Sequence, residues 1–593
     1  QCLLQGFCKE DLSSPEEGEF YFYDQSTEWD EKFEELRYKI QQDDVLTVSF
    51  DIFDTLIVRP FWTPDDIFYF VSEKVRHIVS ESETFVAMRK AAEEKCRLVA
   101  KTLDSSTEDV TLHEIYTFMA KLFGFSEEET RLMMAAEMET ELSFCRPRHA
   151  GVAMLELAKF VGKKVILTSD MYLEKPLIEK ILEKCGVNGY DALYLSSEYK
   201  KLKATGGLFK IVKKAEGGVK KMLHIGDNWA ADFVAAEKAG IRPLFFPKAV
   251  ETYTNNISNI YTGDAFKQIY EGVHTNYDSR CVMDQLPLRC LFACAANGFF
   301  DDPFRSFHGG SLYNADAYYM GFSALGMHLL GIAKFIRDKA ERLGLDHVVF
   351  LARDGYIVKK IFDILFGERG VRTSYFYANR KTLLPFVVKK KEDLFGLYRY
   401  FDLSVNCPKD ILKILEPVCG KLTAEQVLGF HKYGISLESS FKSRSAYLDF
   451  AAAACKVIGD KQFDGKKLQK MRAAVAAEFD GRCACFDVGY SGRLQAILCD
   501  ITGKNMDVFY VHDNGSTAKK LAEKNAFQIY NFYEYTPNIT SVLREYLISE
   551  PQTACSGYKE QSGKLFFEFD ESEPKYSETY AVHELQRGAV DYC

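Results

Sequence analysis

A basic excess, a paired-cysteine motif and a clean apolar run of membrane length are all missing from this 593-residue sequence. The formal net charge is −10, and without a clustered basic face there is no electrostatic footprint for nucleic acid, so DNA and RNA are not expected as partners. The 16 cysteines sit in apolar settings such as CLFAC (290–294) and CAC (483–485), with no CxxC pair and no Cys/His zinc spacing. They read as small core residues in a reducing compartment, with the cytoplasm the expected location. The apolar stretch MGFSALGMHLLGIAKFI (320–336) is interrupted by His328 and Lys334. It falls short of the roughly 20 clean residues a span needs, so no transmembrane segment is expected. Only 15 prolines leave little room for disordered linkers. The chain begins at Gln1 rather than Met, which leaves room for a longer N-terminus.

What is present is apolar mass: 46 Phe and 33 Tyr in a chain 47% hydrophobic, enough for several cores at about 150 residues each. Residues 1–45 are an acidic, aromatic lead-in that ends in the helical pattern EWDEKFEELRYKIQQDD. The β-rich run VLTVSFDIFDTLIV follows. TPDD (63–66) then offers Thr63 as a cap, Pro64 at the first helical position and two acids at the positive end of a helix. Helical spacing continues to CRPR (145–148), with Ser126 and Glu129 in capping-box register, so residues 61–147 are expected to be all-helical. From residue 151 helices alternate with the strand patterns KKVILTSD, ALYLSS, KMLHIGD and IRPLFFP. That alternation predicts an α/β fold with a parallel sheet covered on both faces.

Ligands bind at the carboxyl ends of such strands, and four ends carry chemistry: Asp51 after TVSF, Ser169 after VILT, Lys203 shortly after LYLSS, and Asp227 after LHIG. Phosphoryl transfer needs a nucleophile, a cation and donors that hold the group in line. Asp51 would be the nucleophile, forming an aspartyl-phosphate. Asp51 and Asp227 would share Mg²⁺, with Asp232 behind them. Ser169, or its rival Thr168, would donate to a phosphate oxygen, and Lys203 would pair with both phosphate and nucleophile. Plainer roles stand beside these. Asp54 with Thr55 is a common strand-to-turn pair, Ser169 and Asp170 can cap the next helix, and Lys203 with Lys200 and Lys201 can form a solvated face.

FDIFDTL, VILTSD, SSEYKKLKATGGLF and HIGDNWAAD, in that order over residues 46–248, resemble the four motifs of the haloacid-dehalogenase-like hydrolases. SDMYL and RDGY resemble a subgroup associated with glycosyltransferases and surface-polysaccharide genes. The resemblance implies a Rossmann-like core (46–60 plus 148–250), an all-helical C1-type cap (61–147) that closes over the substrate, and Mg²⁺-dependent hydrolysis of a phosphorylated small molecule. It places Asp51, Phe53, Asp227 and Asp232 at metal positions, and Thr55, Thr168, Asp170, Arg59 and Tyr172 at substrate positions. One position departs. Phosphatases of the family carry their general acid two residues after the nucleophile, where Phe53 stands; Asp54 lies one residue later. The proton would then be unnecessary, because the leaving group is good, or would come from the cap, or from Asp54 reaching back through a kinked loop. A scaffold that binds phosphate without turnover is the alternative. The intact GDNWAAD argues for Mg²⁺ and against dehalogenation, which needs no metal.

Residues 251–305 lack clear periodicity and read as a linker; 306–593 read as a second α/β domain with a helical insertion at about 385–480. Two strand–loop–helix units, FLARDGYIVKK and FDVGYSGRLQ, put Arg353, Asp354 and Gly355, then Asp487, Ser491, Gly492 and Arg493, at turns suited to anions. The pair resembles the loops of phosphoribosyltransferases, with Phe486 and Leu494 standing where that family expects an acid and a hydroxyl. Binding module, transferase and ordinary tight turns all remain open.

Overall fold

The computed structural model describes residues 26–219, 221–257, 279–305, 307, 313–367, 370–459, 463, 468–534, 541–569 and 576–593. They fall into two compact units, Gln1–Asp316 and Ala317–Cys593. The first 25 residues of the lead-in and residues 258–278 of the expected linker lie outside the described residues.

In the first unit, helix α1 (Ser26–Gln41) precedes β1 (Thr47–Phe50). The sheet adds β4 (Lys164–Ser169), β5 (Ala192–Leu195), β6 (Met222–Gly226) and β7 (Arg242–Phe245), in the order β5-β4-β1-β6-β7. Every pairing is parallel. The central strands are continuous apolar runs rather than alternating ones because both faces are covered; all five residues of β6 are buried. A short antiparallel pair, β2 (Ile57–Val58) with β3 (Arg146–Pro147), marks where the chain leaves the core and returns. Between them lie the helices of the insertion: α2 (Ile67–Lys74), α3 (Ser82–Leu103), α4 (Leu112–Phe123) and α5 (Glu127–Phe144). The capping box that starts α5 is formed, with the Ser126 N–H donating to Glu129 at 2.8 Å. Inside the insertion, buried Arg89 donates twice to buried Glu137 at 2.8 Å, and the Tyr116 hydroxyl donates to Glu137 at 2.7 Å. The carboxylate is thus fully partnered, as a buried charge requires.

The expected linker is corrected. Its described residues form α9 (Ala249–Ile257) and α10 (Ser279–Phe299), reached through α6 (His149–Phe160), α7 (Lys175–Lys184) and α8 (Gly207–Ala215), and they pack into the first unit. Arg289 donates to Asp66 at 2.8–3.1 Å, and Asn297 Nδ2 donates to the Arg59 carbonyl at 2.9 Å. Asp66, at the start of the insertion, is buried, so a cation from α10 is what makes its burial tolerable.

The second unit repeats the plan. Strands β8 (His347–Leu351), β9 (Arg372–Phe376), β10 (Cys483–Asp487), β11 (Asp507–Tyr510) and β12 (Ile529–Asn531) form a parallel sheet in the order β12-β11-β10-β8-β9. Short helices fill the chain between β9 and β10. A helical stretch, Ala317–Leu343, is at 27 residues long and apolar enough by length and composition to cross a membrane; 56% of its most apolar window is buried. It packs closely on the helix Tyr576–Tyr592: a Cβ at Gly321 would lie 1.8 Å from the Leu585 carbonyl oxygen, so only glycine fits there. The described cysteines are free thiols.

Candidate active site

Strand β1 delivers Asp51 to the carboxyl edge of the first sheet, its N–H donating to the Ile225 carbonyl of β6 at 2.8 Å. The chain then kinks. The Ile52 carbonyl accepts from the N–H of Leu56 (2.8 Å) and Ile57 (3.0 Å), and Asp54 turns left-handed at φ 57°. Aspartate is among the few residue types that accept that region. The turn is held from outside by Arg148, fully buried, whose guanidinium donates to the carbonyls of Asp54, Pro247 (2.8 Å), Phe300 (3.1 Å) and Asp301 (3.0 Å) and stacks on Phe246 at 4.1 Å. Burial pulls its pKa down to about 10 despite nearby acids.

The charged groups converge. Lys203 Nζ lies 2.5 Å from Asp51 Oδ1 and 2.5 Å from Asp232 Oδ1. The second oxygen of Asp232 accepts from the Asn228 N–H at 2.9 Å. Oxygens of Asp51, Asp227 and Asp232 all lie within 4.8 Å of one another, and all three residues are buried. Lys248 Nζ stands 3.2 Å from Asp227 Oδ2 and 3.5 Å from Asp54 Oδ2, so one lysine is shared by these two acids. Behind it runs a buried chain across three strands: Asp232 to His224 Nε2 (3.0 Å), His224 Nδ1 to Ser49 Oγ (2.8 Å), and Ser49 Oγ to Thr168 Oγ1 (3.0 Å).

Electrostatics sort the acids. Burial, then the charge of Asp51, pushes Asp227 well above the usual carboxylate range, and Lys248 only partly opposes this. Burial likewise raises Asp51 against the pull of Lys203. On Asp232 burial is overcome by Lys203 and His224, and the group is held below its ordinary value. Asp232 is therefore a partnered anion, whereas Asp51 and Asp227 resist ionisation: the four acids Asp51, Asp54, Asp227 and Asp232 share only two lysines, Lys203 and Lys248. A set of closely spaced carboxylate oxygens fits a hard divalent cation such as Mg²⁺. Asp51, Asp227 and Asp232 are the buried acids placed to hold such a cation; the oxygens of Asp232 also serve Lys203, His224 and the Asn228 N–H, so it stands behind the other two. Phe53, read from sequence at a metal position, offers no side-chain ligand atom.

Of the remaining sequence-derived residues, Ser169 is buried and its hydroxyl has no partner among the described residues, whereas Thr168 is turned inward to Ser49. Asp170 accepts the Lys203 N–H at 2.8 and 3.0 Å, fixing that loop; burial pushes its pKa to about 6. Thr55 Oγ1 approaches Asp227 at 3.5 Å. The charge of Arg59 is spent on Glu141 at 2.8 Å, at the foot of α5, and the Tyr172 ring lies 5.0 Å beneath Arg89. Arg59 also lies 4.8 Å over the ring of Phe53, in the loop that follows Asp51. Lys248, Arg148 and the Ser49–His224 pair carry no motif. Their signals are faint: a lysine just after the last strand, and single polar residues inside strands otherwise apolar.

In the second unit, Arg353 Nη1 donates to the Gln552 carbonyl at 2.8 Å, and Asp354 accepts from Ser549 Oγ at 2.6 Å. Gly355 is obligatory, since a Cβ would lie 2.7 Å from the Leu351 carbonyl oxygen. Gly492, left-handed at φ 73°, caps the helix Arg493–Thr502 beside Ser491. Asp487 ends β10, next to β8 in the sheet, and burial and Asp354 push it well above the usual carboxylate range.

No protein-family model and no curated protein matches the chain. Among solved structures it is similar to an L-2-haloacid dehalogenase at 14% identity, over 35% of this chain and 85% of that one, with a TM-score of 0.25.

Proposed function

We propose that the first unit is a Mg²⁺-dependent phosphohydrolase of the haloacid-dehalogenase type that works through an aspartyl-phosphate on Asp51. The observation that carries this reading is the convergence of Asp51, Lys203 and Asp227, from separate strand ends, into one cluster where four acids share two lysines. Asp51 and Asp227 would hold the cation, which supplies charge neutralisation for the phosphoryl group. The Asp51 oxygen not held by Lys203 attacks phosphorus, the bond from phosphorus to the leaving-group oxygen breaks, and Asp54 gives that oxygen its proton. A water then attacks the aspartyl-phosphate, returning a proton to Asp54 and releasing phosphate. Lys203 Nζ and the unpartnered Ser169 hydroxyl hold the phosphoryl oxygens.

The substrate is a phosphorylated small molecule. The motif resemblance supports a role in sugar or polysaccharide metabolism, and the free thiols support a reducing, cytoplasmic setting. The test is phosphate release from a panel of phosphorylated metabolites with and without Mg²⁺. Release that requires the cation and is lost in Asp51→Asn supports the reading. Binding without release would favour the scaffold, for which the phenylalanine at position 53 is the motive.

A further inference from the structure

The second sheet has its own switch point. The chain runs from β8 outward to β9 on one side and from β10 outward through β11 and β12 on the other, with β8 and β10 adjacent. In open parallel sheets, ligands bind in the crevice outside the carboxyl ends at that place. Two adjoining clefts lie in this region, one of about 180 Å³ bordered by Arg353, Tyr377 and Asn379 and one of about 90 Å³ bordered by Lys381, Asn406 and Arg493. Arg380 borders both.

The charge there is not balanced. Arg493 Nε is buried and has no hydrogen-bond partner, and neither Arg493 nor Arg380 forms an ion pair among the described residues. A buried donor without an acceptor costs stability and calls for an explanation. The acids nearby do not provide it. Asp402, which also borders the smaller cleft, feels the charge of Arg493 but forms no ion pair with it among the described residues, and one of its oxygens is taken by the Ser404 N–H (3.1 Å) and hydroxyl (2.6 Å). Asp487 sits at the end of β10 with its ionisation opposed by burial. Burial and then Arg493 lower the pKa of Arg380, with Asp487 opposing them only in part, so the two guanidiniums repel each other. A group that answers both is an oxyanion able to accept several N–H donors at once, which is the geometry of phosphate on arginine. The N-terminus of helix Arg493–Thr502 adds to it.

We infer that the second unit holds a phosphate-binding site between Arg380 and Arg493, with the adjoining cleft beside Arg353 and Tyr377 receiving the remainder of a small phosphorylated molecule. The site is separate from the hydrolytic one and does not depend on it.

The test is calorimetric titration of the full Asp51→Asn chain in EDTA, conditions that disarm the first site, with inorganic phosphate, ribose 5-phosphate and ribose. Saturable binding of both phosphates and none of ribose is expected. Tighter binding of ribose 5-phosphate than of inorganic phosphate would place the sugar in the larger cleft, and equal binding would make free phosphate the ligand. Arg493→Gln and Arg380→Gln should each weaken binding at least tenfold, the cost of one charge-assisted hydrogen bond, with Arg493→Lys falling between. Arg493→Gln should leave the unliganded Tm unchanged or raised, because it has no partner to lose. Should it unfold instead, Arg380→Gln, at the exposed mouth, carries the same test. Phosphate binding unaffected by both Gln variants, or no saturable binding by the Asp51→Asn chain, overturns the site.

Discussion

Replacing Asp227 by Asn tests the charge argument without relying on turnover. In the first unit, carboxylate oxygens of Asp51 and Asp227 lie within 4.8 Å, and two unit charges at that separation repel by about 3 kcal/mol at an effective dielectric of about 20. Lys248, 3.2 Å from Asp227, offsets part of this but is shared with Asp54. The Asn amide oxygen can face Lys248, exchanging the ion pair for a hydrogen bond to a neutral acceptor and giving up the 3.5 Å approach of Thr55; burial and the Asp51 charge, which outweigh Lys248 on the acid, are relieved in return. Without a divalent cation at pH 8, Asp227→Asn should therefore stabilise the unit by about 1–2 kcal/mol, or roughly 2–8 °C in Tm. The sign follows from linkage. The folded pKa of Asp227 is raised, so the folded wild type holds a proton that the unfolded chain has released, and its stability falls as pH rises through the folded value. The advantage of the variant should shrink on acidification to pH 5, because the raised pKa lets the wild-type carboxyl take up its proton sooner than an ordinary aspartate. With millimolar Mg²⁺ at pH 8 the order reverses, since only the wild type gains binding energy on the folded side. Calorimetric scans of both proteins at pH 5 and 8, in EDTA and in Mg²⁺, give the four values. A variant less stable than wild type in EDTA at pH 8, or one that keeps the Mg²⁺ shift, would refute the assignment of Asp227 as a cation ligand whose charge is only partly offset.

Asp54→Asn should lower kcat by about 10²–10⁴ toward an alkyl phosphate and by much less toward an acyl phosphate or a phosphoanhydride, whose leaving groups need no proton; equal losses would remove Asp54 from proton transfer. Arg148→Met removes four donated hydrogen bonds from carbonyls and should cost about 3–5 kcal/mol by urea unfolding. Arg148→Lys should recover part of that stability while kcat stays low, because one ammonium cannot reach all four oxygens; full activity in the lysine variant would separate the Asp54 turn from catalysis.

Most of the first unit was legible because its signals are local. A strand ending in an acid, a serine or a lysine declares its own position, and Ser126 with Glu129 names a helix start within four residues. What was hidden is assembled from distant segments. Arg148 answers carbonyls at positions 54, 247, 300 and 301, and Ser49, Thr168 and His224 meet only because β4, β1 and β6 are neighbours. The helix taken for linker has almost no amphipathic rhythm, since its contacts are specific pairs such as Arg289 with Asp66 rather than an apolar stripe. In the second unit the turns at Asp354 and Asp487 were visible as motifs, whereas Arg380 follows a strand with no pattern to single it out.

The reading of the first site stands most directly on phosphate release by the purified full chain across a panel of phosphorylated metabolites, measured in Mg²⁺ and in EDTA beside Asp51→Asn. Turnover of at least one compound that needs the cation and vanishes in the variant, with the variant's Tm close to wild type, is the predicted result. Turnover that survives in Asp51→Asn, or is indifferent to Mg²⁺, would contradict it.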